Sequence, residues 1–261
     1  QKSHNLTGIL FCSLCALVGG FAFIAQQKAS SDVPTFTFNA LRFSLAVGVI
    51  GIFILINMLI DKKKGTTRIG WNKATFVGGA LCGLSLFVAN NLQQYGIAHT
   101  TVGKTGFITA LYIVIVPLLS LCFGHRGNFR LWLGVGLAVV GLYLLSIHGD
   151  FSLNPGDSMM MLCALVDSVH ILVIDRFAVK TCPVKMSCVQ FFGCAFLATV
   201  ASLIFESNQI SGVSIAIWQV LYAGLLSSGI AYTLQMVGQR GLNPTYAALI
   251  MSLEAVIRSE E

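Results

Sequence analysis

The pentapeptide LCALV stands at Leu14–Val18 and again at Leu162–Val166, 148 positions on. Its residues are common apolar ones, so one coincidence says little. The same shift also sets Gln27–Lys28 against Asp175–Arg176, and each pair marks a helix end. Pro34 and Pro183 each open the segment that follows. A shift of 142 then sets NNLQQYG at Asn90–Gly96 against YTLQMVG at Tyr232–Gly238, with loop length absorbing the difference. The pattern is that of an internal duplication.

Composition says what solvent the duplicated unit meets. Of 261 residues, 56% are hydrophobic and 10% charged, where soluble domains average about 25% charged. A bilayer span needs about 20 mostly apolar residues. Nine segments approach that description: 6–26, 34–60, 72–97, 101–123, 130–147, 157–175, 184–205, 213–238 and 244–257. The last is too short to be complete. The first lacks a small-residue cleavage site before a soluble domain and reads as a membrane helix, not a signal peptide.

The placement of charge sets the orientation. One set of segment ends holds Lys2, Lys62, Lys63, Lys64, Arg68, Lys73, Arg126, Arg130, Arg176, Lys180, Lys185 and Arg240. The opposite set holds only Lys28 and Lys104, while Asp32, Asp150, Asp157 and Glu206 fall mostly on that Lys-poor side. By the positive-inside rule the N-terminus is cytoplasmic. The basic loops thus report topology and not nucleic-acid binding. Seven of the eight cysteines lie inside apolar segments and Cys182 in a cytoplasmic loop. Cys12 and Cys15 are spaced Cys-x-x-Cys but lack partners at zinc spacing, so neither a metal site nor a disulfide framework is expected.

Five helices per repeat is an odd number, so the second copy enters the membrane from the other side. Residues 1–150 (helices 1–5) and 151–261 (helices 6–9) are therefore read as two inverted repeats, the arrangement of many secondary transporters.

Polar groups at membrane depth are costly unless they face a cavity or a partner. Cys163, Asp167, His170 and Ile174 form one helical stripe on helix 6, and Cys15, Gly19, Ala22 and Gln26 the equivalent stripe on helix 1. Ser228, Tyr232, Gln235 and Gln239 share a face of helix 8, matched by Leu86, Asn90, Gln93 and Ile97 on helix 3. The expected substrate-binding residues are Asn90, Gln93, Asp167, His170, Tyr232 and Gln235, whose amides, phenol, imidazole and carboxylate suit a polar or zwitterionic solute. Asp167 and Glu254 are the carboxylates deepest in apolar sequence and the candidates for coupling to protons. A plain interhelical polar pair is the other reading of Asp167 and His170. Arg42 is read as snorkelling to an interface or pairing with an acid. Lys104 either attracts anionic solute groups or sits among headgroups. Pro117 falls within helix 4 and Pro244 opens helix 9.

The stretches NNLQQYGIAHTTVGKTGFITALYIVIVPLL and YAGLLSSGIAYTLQMVGQRGLNPTYAALIMSLEAV closely resemble the paired motifs of EamA-type permeases of the drug/metabolite transporter superfamily. GDSMMMLCALVDSVHILVIDRFA is similar to that family's sixth helix, and Glu254 falls at its SLE position. The resemblance implies an all-α polytopic membrane protein of ten-helix design, in two inverted five-helix repeats. The last helix is then missing and the ninth incomplete in this chain.

The expected function is secondary transport of small organic metabolites such as amino acids or drugs, by alternating access; export is implied by the resemblance alone. The alternative is a membrane receptor or scaffold that keeps the fold without transporting. An enzyme is not expected, since no nucleophile is paired with a base. Neither a cofactor nor a metal is expected. The expected partners are a small-molecule solute, the lipid bilayer and protons, without nucleic acid. The expected location is the cell (inner) membrane, multi-pass.

Overall fold

The computed structural model describes residues 2–64, 71–100, 102–122, 129–146, 154–206, 211–240 and 242–258. Among the described residues the regular structure is entirely helical. Helices α1 (Lys2–Ala29), α2 (Thr35–Lys64) and α3 (Lys73–His99) open the chain. Helix α4 comes in two pieces, Val102–Ala110 and Tyr112–Cys122, followed by α5 (Phe129–Ser146). Next come α6 (Pro155–Ala178) and α7 (Pro183–Phe205). Helix α8 runs through Ser211–Ile215, Ile217–Leu221, a π-helical stretch Tyr222–Ala231 and Tyr232–Gly238. Helix α9 consists of Pro244–Met251 and Leu253–Arg258. Seven spans, on α1–α4 and α6–α8, are long and apolar enough to cross a membrane. Of the basic residues on which the expected orientation rests, Arg68 and Arg126 lie outside the described residues, as do the side chains of Lys2, Lys62, Lys63, Lys64 and Arg130.

In lipid a chain must satisfy its own backbone groups, which favours helices throughout. Their starts are written locally. Pro155, Pro183 and Pro244 sit at first helical positions, where the missing N–H costs nothing. The Asn72 side chain accepts from the Thr75 backbone N–H at 2.7 Å and Asn243 from Thr245 at 2.9 Å. Asn154 and Asp157 form a capping box at the start of α6. Large apolar side chains such as Phe21, Ile52, Phe192 and Leu203 point outward, and small residues mediate close helix approach. A Cβ added to Gly83 of α3 would lie 2.7 Å from the Gln190 carbonyl oxygen of α7.

Close contacts fix the helix directions. The start of α3 meets the end of α6 at Gly78 and Phe177, and the end of α3 meets the start of α6 at Gly96 and Met160. These two helices are antiparallel. The start of α1 crosses the end of α8, where a Cβ on Gly8 would lie 2.7 Å from the Gly238 carbonyl oxygen. The start of α2 is tied to the end of α7 by Glu206, which accepts from the Phe36 and Thr37 N–H groups at 2.7 Å each. Hence Asp157 and Glu206 lie at the same end of the bundle.

Helix α4 breaks at Leu111, six residues before Pro117. The chain there makes three-residue turns, Leu111 N–H to the Ile108 carbonyl and Val114 N–H to that of Leu111. Thr109 donates to its own helix at the Thr105 carbonyl, 2.6 Å away, a back-bond that tends to bend helices.

Candidate functional site

Six helices converge on a central cavity. Helix α1 contributes Cys15, Gly19 and Gln26, and α3 contributes Gln93. The break in α4 presents Thr109 and Tyr112. Helix α6 contributes Asp167, His170 and Ile171; α8 contributes Ser227, Ala231, Tyr232 and Gln235; α9 contributes Met251 and Glu254. Helices α2 and α7 support this wall from behind.

Five of the six residues expected to bind solute line the cavity: Gln93, Asp167, His170, Tyr232 and Gln235. Asn90 does not. It lies buried one layer back, its amide donating to the Leu86 carbonyl at 3.0 Å. That bond fixes the amide orientation and leaves Asn90 Oδ1 without a partner, as Gln235 Oε1 also is. Unpaired buried acceptors are uncommon and call for a donor. Both coupling candidates, Asp167 and Glu254, face the cavity. Glu254 presses on α1 at Gly19, where an added Cβ would lie 3.0 Å from its carboxyl carbon. Glycine at 19 is what gives that carboxylate room. The Cys163 thiol donates to Asp167 Oδ2 at 3.4 Å.

His170 is held by groups on other helices. Its Nε2 lies 3.0 Å from Gln190 Oε1 of α7, and its ring meets Tyr232 edge-on at 6.5 Å between centroids. A second buried pair ties α1 to α2: the Arg42 Nη1 donates to Gln26 Oε1 at 2.9 Å. Arg42 Nε donates to Ser228 Oγ at 2.9 Å, and the guanidinium sits 5.0 Å from the Phe43 ring centroid. Arg42 is 0% exposed, so it does not snorkel, and both of these acceptors are neutral. A fixed cation thus stands directly behind Gln26 in the cavity wall. Lys104 lies 3.9 Å from Asp157 and not at the cavity.

The π-helical stretch corrects the expected face of α8. The Tyr232 N–H bonds to the Ser227 carbonyl, five residues back, which shifts the register by one position per such turn. Ser227 therefore lines the cavity with Tyr232 and Gln235, while Ser228 turns to Arg42. Gln239 is buried away from it, its amide 3.5 Å from the Met251 sulfur. The run of small residues at 223–231 was the available signal, but strict helical periodicity selects the wrong serine. Thr109, Tyr112 and Met251 lie outside the polar stripes that the repeat and the helical period pick out. Among the described residues there is no His/Cys/Asp/Glu cluster that could hold a metal ion, and all eight cysteines are free thiols.

A multi-pass helical membrane protein with a polar chamber at its centre is the architecture of a solute carrier. The sequence profile of the EamA-like transporter family matches residues 6–147 and, a second time, residues 154–258. The chain belongs to the EamA-like transporter family, and is accordingly a membrane transporter and not a member of an enzyme class. It is 29% identical over 245 residues to an uncharacterized transporter of Archaeoglobus fulgidus, covering 94% of this chain and 73% of that one. The uncharacterized transporter YoaV of Bacillus subtilis is 26% identical over 224 residues, with 83% and 74% covered. The uncharacterized inner membrane transporter YedA of Escherichia coli is 22% identical over 255 residues, with 95% and 80% covered. A crystal structure 18% identical in sequence superposes with a TM-score of 0.76, covering 99% of this chain and 86% of its own, and shares the fold.

Proposed function

We propose that the protein carries a small polar organic solute, of the size and polarity of an amino acid or a small drug, across the inner membrane. The route is alternating access of two inverted repeats, residues 1–150 and 151–261, with the N-terminus in the cytoplasm and net movement outward. The observation that carries this reading is the lining of the cavity. It draws on α1, α3 and α4 from the first half and on α6, α8 and α9 from the second. Those are the pairs that the shifts of 148 and 142 relate.

Contacts at the two ends of the bundle support the same pairing. At one end Gly96 packs on Gly156 and Met160, with an added Cβ 3.3 Å from the Gly156 oxygen and against the Met160 sulfur. At the other, Gly238 packs on Gly8 and Cys12, with an added Cβ 3.0 Å from each of the Gly8 oxygen and the Cys12 sulfur. Gly8 and Gly156, and Cys12 and Met160, are 148 apart; Gly96 and Gly238 are 142 apart. Two packings of one motif, one at each end, are what a carrier needs to exchange outward-open and inward-open states.

Within the cavity the donors and acceptors of Gln26, Gln93, Tyr232 and Gln235 replace the solute's water. Asp167 and Glu254 are positioned to hold a proton or an ammonium group. Arg42 adds positive potential through Gln26. The decisive experiment is solute flux: cells or proteoliposomes with the protein are profiled against a broad metabolite panel, with D167N and Q235A as controls. One solute class should move, and its flux should fall about tenfold or more in the controls, since losing one buried polar contact costs about 1–3 kcal/mol. Equal fluxes in wild type and both variants would overturn the site. Proton coupling predicts that D167N or E254Q abolishes pH-driven flux while exchange persists in part; normal transport by both at every pH would refute it.

A further inference from the structure

The two helix crossings just described differ in one chemical respect. At the Gly96–Gly156 crossing, Asp157 is 1% exposed and joined to three groups. Thr100 Oγ1, at the corner between α3 and α4, donates to its Oδ1. The Asn154 backbone N–H donates to Oδ2 at 2.9 Å, and Lys104 Nζ of α4 lies 3.9 Å from the same oxygen. The corner where α3 turns into α4 is thereby fastened to the start of α6. The shifts of 148 and 142 put Ile9 opposite Asp157, Leu242 opposite Thr100 and Tyr246 opposite Lys104. All three polar members are replaced by residues that cannot rebuild the tie. At these positions the Gly8–Gly238 crossing has no carboxylate to centre such a tie. Glu206 repeats the asymmetry. It binds the start of α2, whereas the residue 149 positions earlier, Asn57, bonds within its own helix to the Phe53 carbonyl.

We propose that Asp157, with Thr100 and Lys104, is a one-sided latch that holds the Lys-poor end of the carrier closed and that must break for the cavity to open there. The latch rests on the transporter reading and on the orientation given by the charge pattern, but its test needs no solute. A charge-assisted hydrogen bond is worth more than a neutral one and is lost as a unit when its two elements separate. Losing it favours opening at that end, because the matching positions of the opposite crossing, Ile9, Leu242 and Tyr246, cannot form the same carboxylate-centred tie. A latch on one side gives the resting carrier a preference for the state closed to the outside.

Cys15 is a native reporter, a free thiol in the cavity wall. A membrane-impermeant cationic methanethiosulfonate is applied to the outer face of intact cells, and separately to inverted vesicles. Cys15 modification is then read by peptide mass spectrometry. In wild type, modification from outside should be slow. In K104M, which leaves the α6 cap intact, and in D157N, it should speed up about tenfold, the effect of about 1.4 kcal/mol, with no change from the inner face. A rate unchanged from outside in both variants would overturn the proposal. So would a rise from both faces, which marks a loosened fold. If no solute is ever moved and yet the one-sided rise is seen, the gate stands and the transport reading falls. Flux without the one-sided rise would mean the reverse.

Discussion

Replacing Glu206 by glutamine tests how the bundle end is built. Helix α2 starts at Thr35, so the N–H groups of Phe36 and Thr37 have no partner within their own helix. Glu206, at the end of α7, supplies it: Oε1 accepts from Phe36 N–H, and Oε2 from Thr37 N–H and Thr37 Oγ1, all at 2.7 Å. The carboxylate also faces the positive end of α2. A glutamine has one acceptor oxygen, so at least one backbone N–H loses its partner, at about 1–3 kcal/mol. The lost charge at the helix end adds about 0.5–1 kcal/mol. Because the site is only half-buried, the expected total is about 2–3 kcal/mol of stability. T37V removes the hydroxyl's bonds to Glu206 Oε2 and with Ser202 Oγ, 2.7 Å each, and should cost about 1–2 kcal/mol. The two changes share one oxygen, so the double variant should lose less than the sum, by about 0.5–1 kcal/mol. Equilibrium unfolding in mixed detergent–SDS micelles, followed by tryptophan fluorescence, measures all three. If E206Q lies within about 0.5 kcal/mol of wild type, the range of an ordinary surface substitution, or if the two effects add, the cap does not exist and the packing of α2 on α7 must be explained otherwise.

Two further pairs of variants follow from the packing. Gly83→Ala should destabilise by about 1–3 kcal/mol, because its methyl would meet a backbone oxygen of α7 that cannot turn aside. Gly193→Ala, with nothing within 4 Å, should be neutral or gain up to about 1 kcal/mol of helix propensity in the same unfolding measurement. Ser227→Ala should lower solute flux without changing stability, and Ser228→Ala should lower stability through Arg42, by about 1–3 kcal/mol. The opposite pattern in paired flux and unfolding assays would mean that α8 holds an ordinary α-helical register at this level.

The serine pair also shows what one-dimensional reading captures. The membrane segments were legible because lipid demands long apolar helices and little else. The cavity lining was legible through the repeated stretches: matching LCALV and LQ-containing segments picked out helices 1, 3, 6 and 8, and five of the six residues expected to bind solute line the chamber. What failed did so where a residue's neighbour, and not its period, decides its role. Ser227 was missed because periodicity assumes four-residue spacing and α8 departs from it. Asn90 sits one layer back because its amide is spent on its own helix. Arg42 reads as an interfacial cation in sequence, yet Ser228 and Gln26 from neighbouring helices and the Phe38 and Phe43 rings of its own helix allow it to be buried.

Asp157 and Glu206 were visible only as acids on the Lys-poor side, a statement about topology. Topology alone places acids freely on that side, without regard to which helix they touch. Here each of the two binds a helix other than its own, at the same end of the bundle, and the duplicated positions at the other end carry Ile9 and Asn57. Under the proposed repeat the two ends would start alike and differ only by later substitution. The two crossings share their glycines and differ in their ties. In the proposed mechanism symmetry supplies the two states of the carrier, and the residues that break the symmetry decide which of them it rests in.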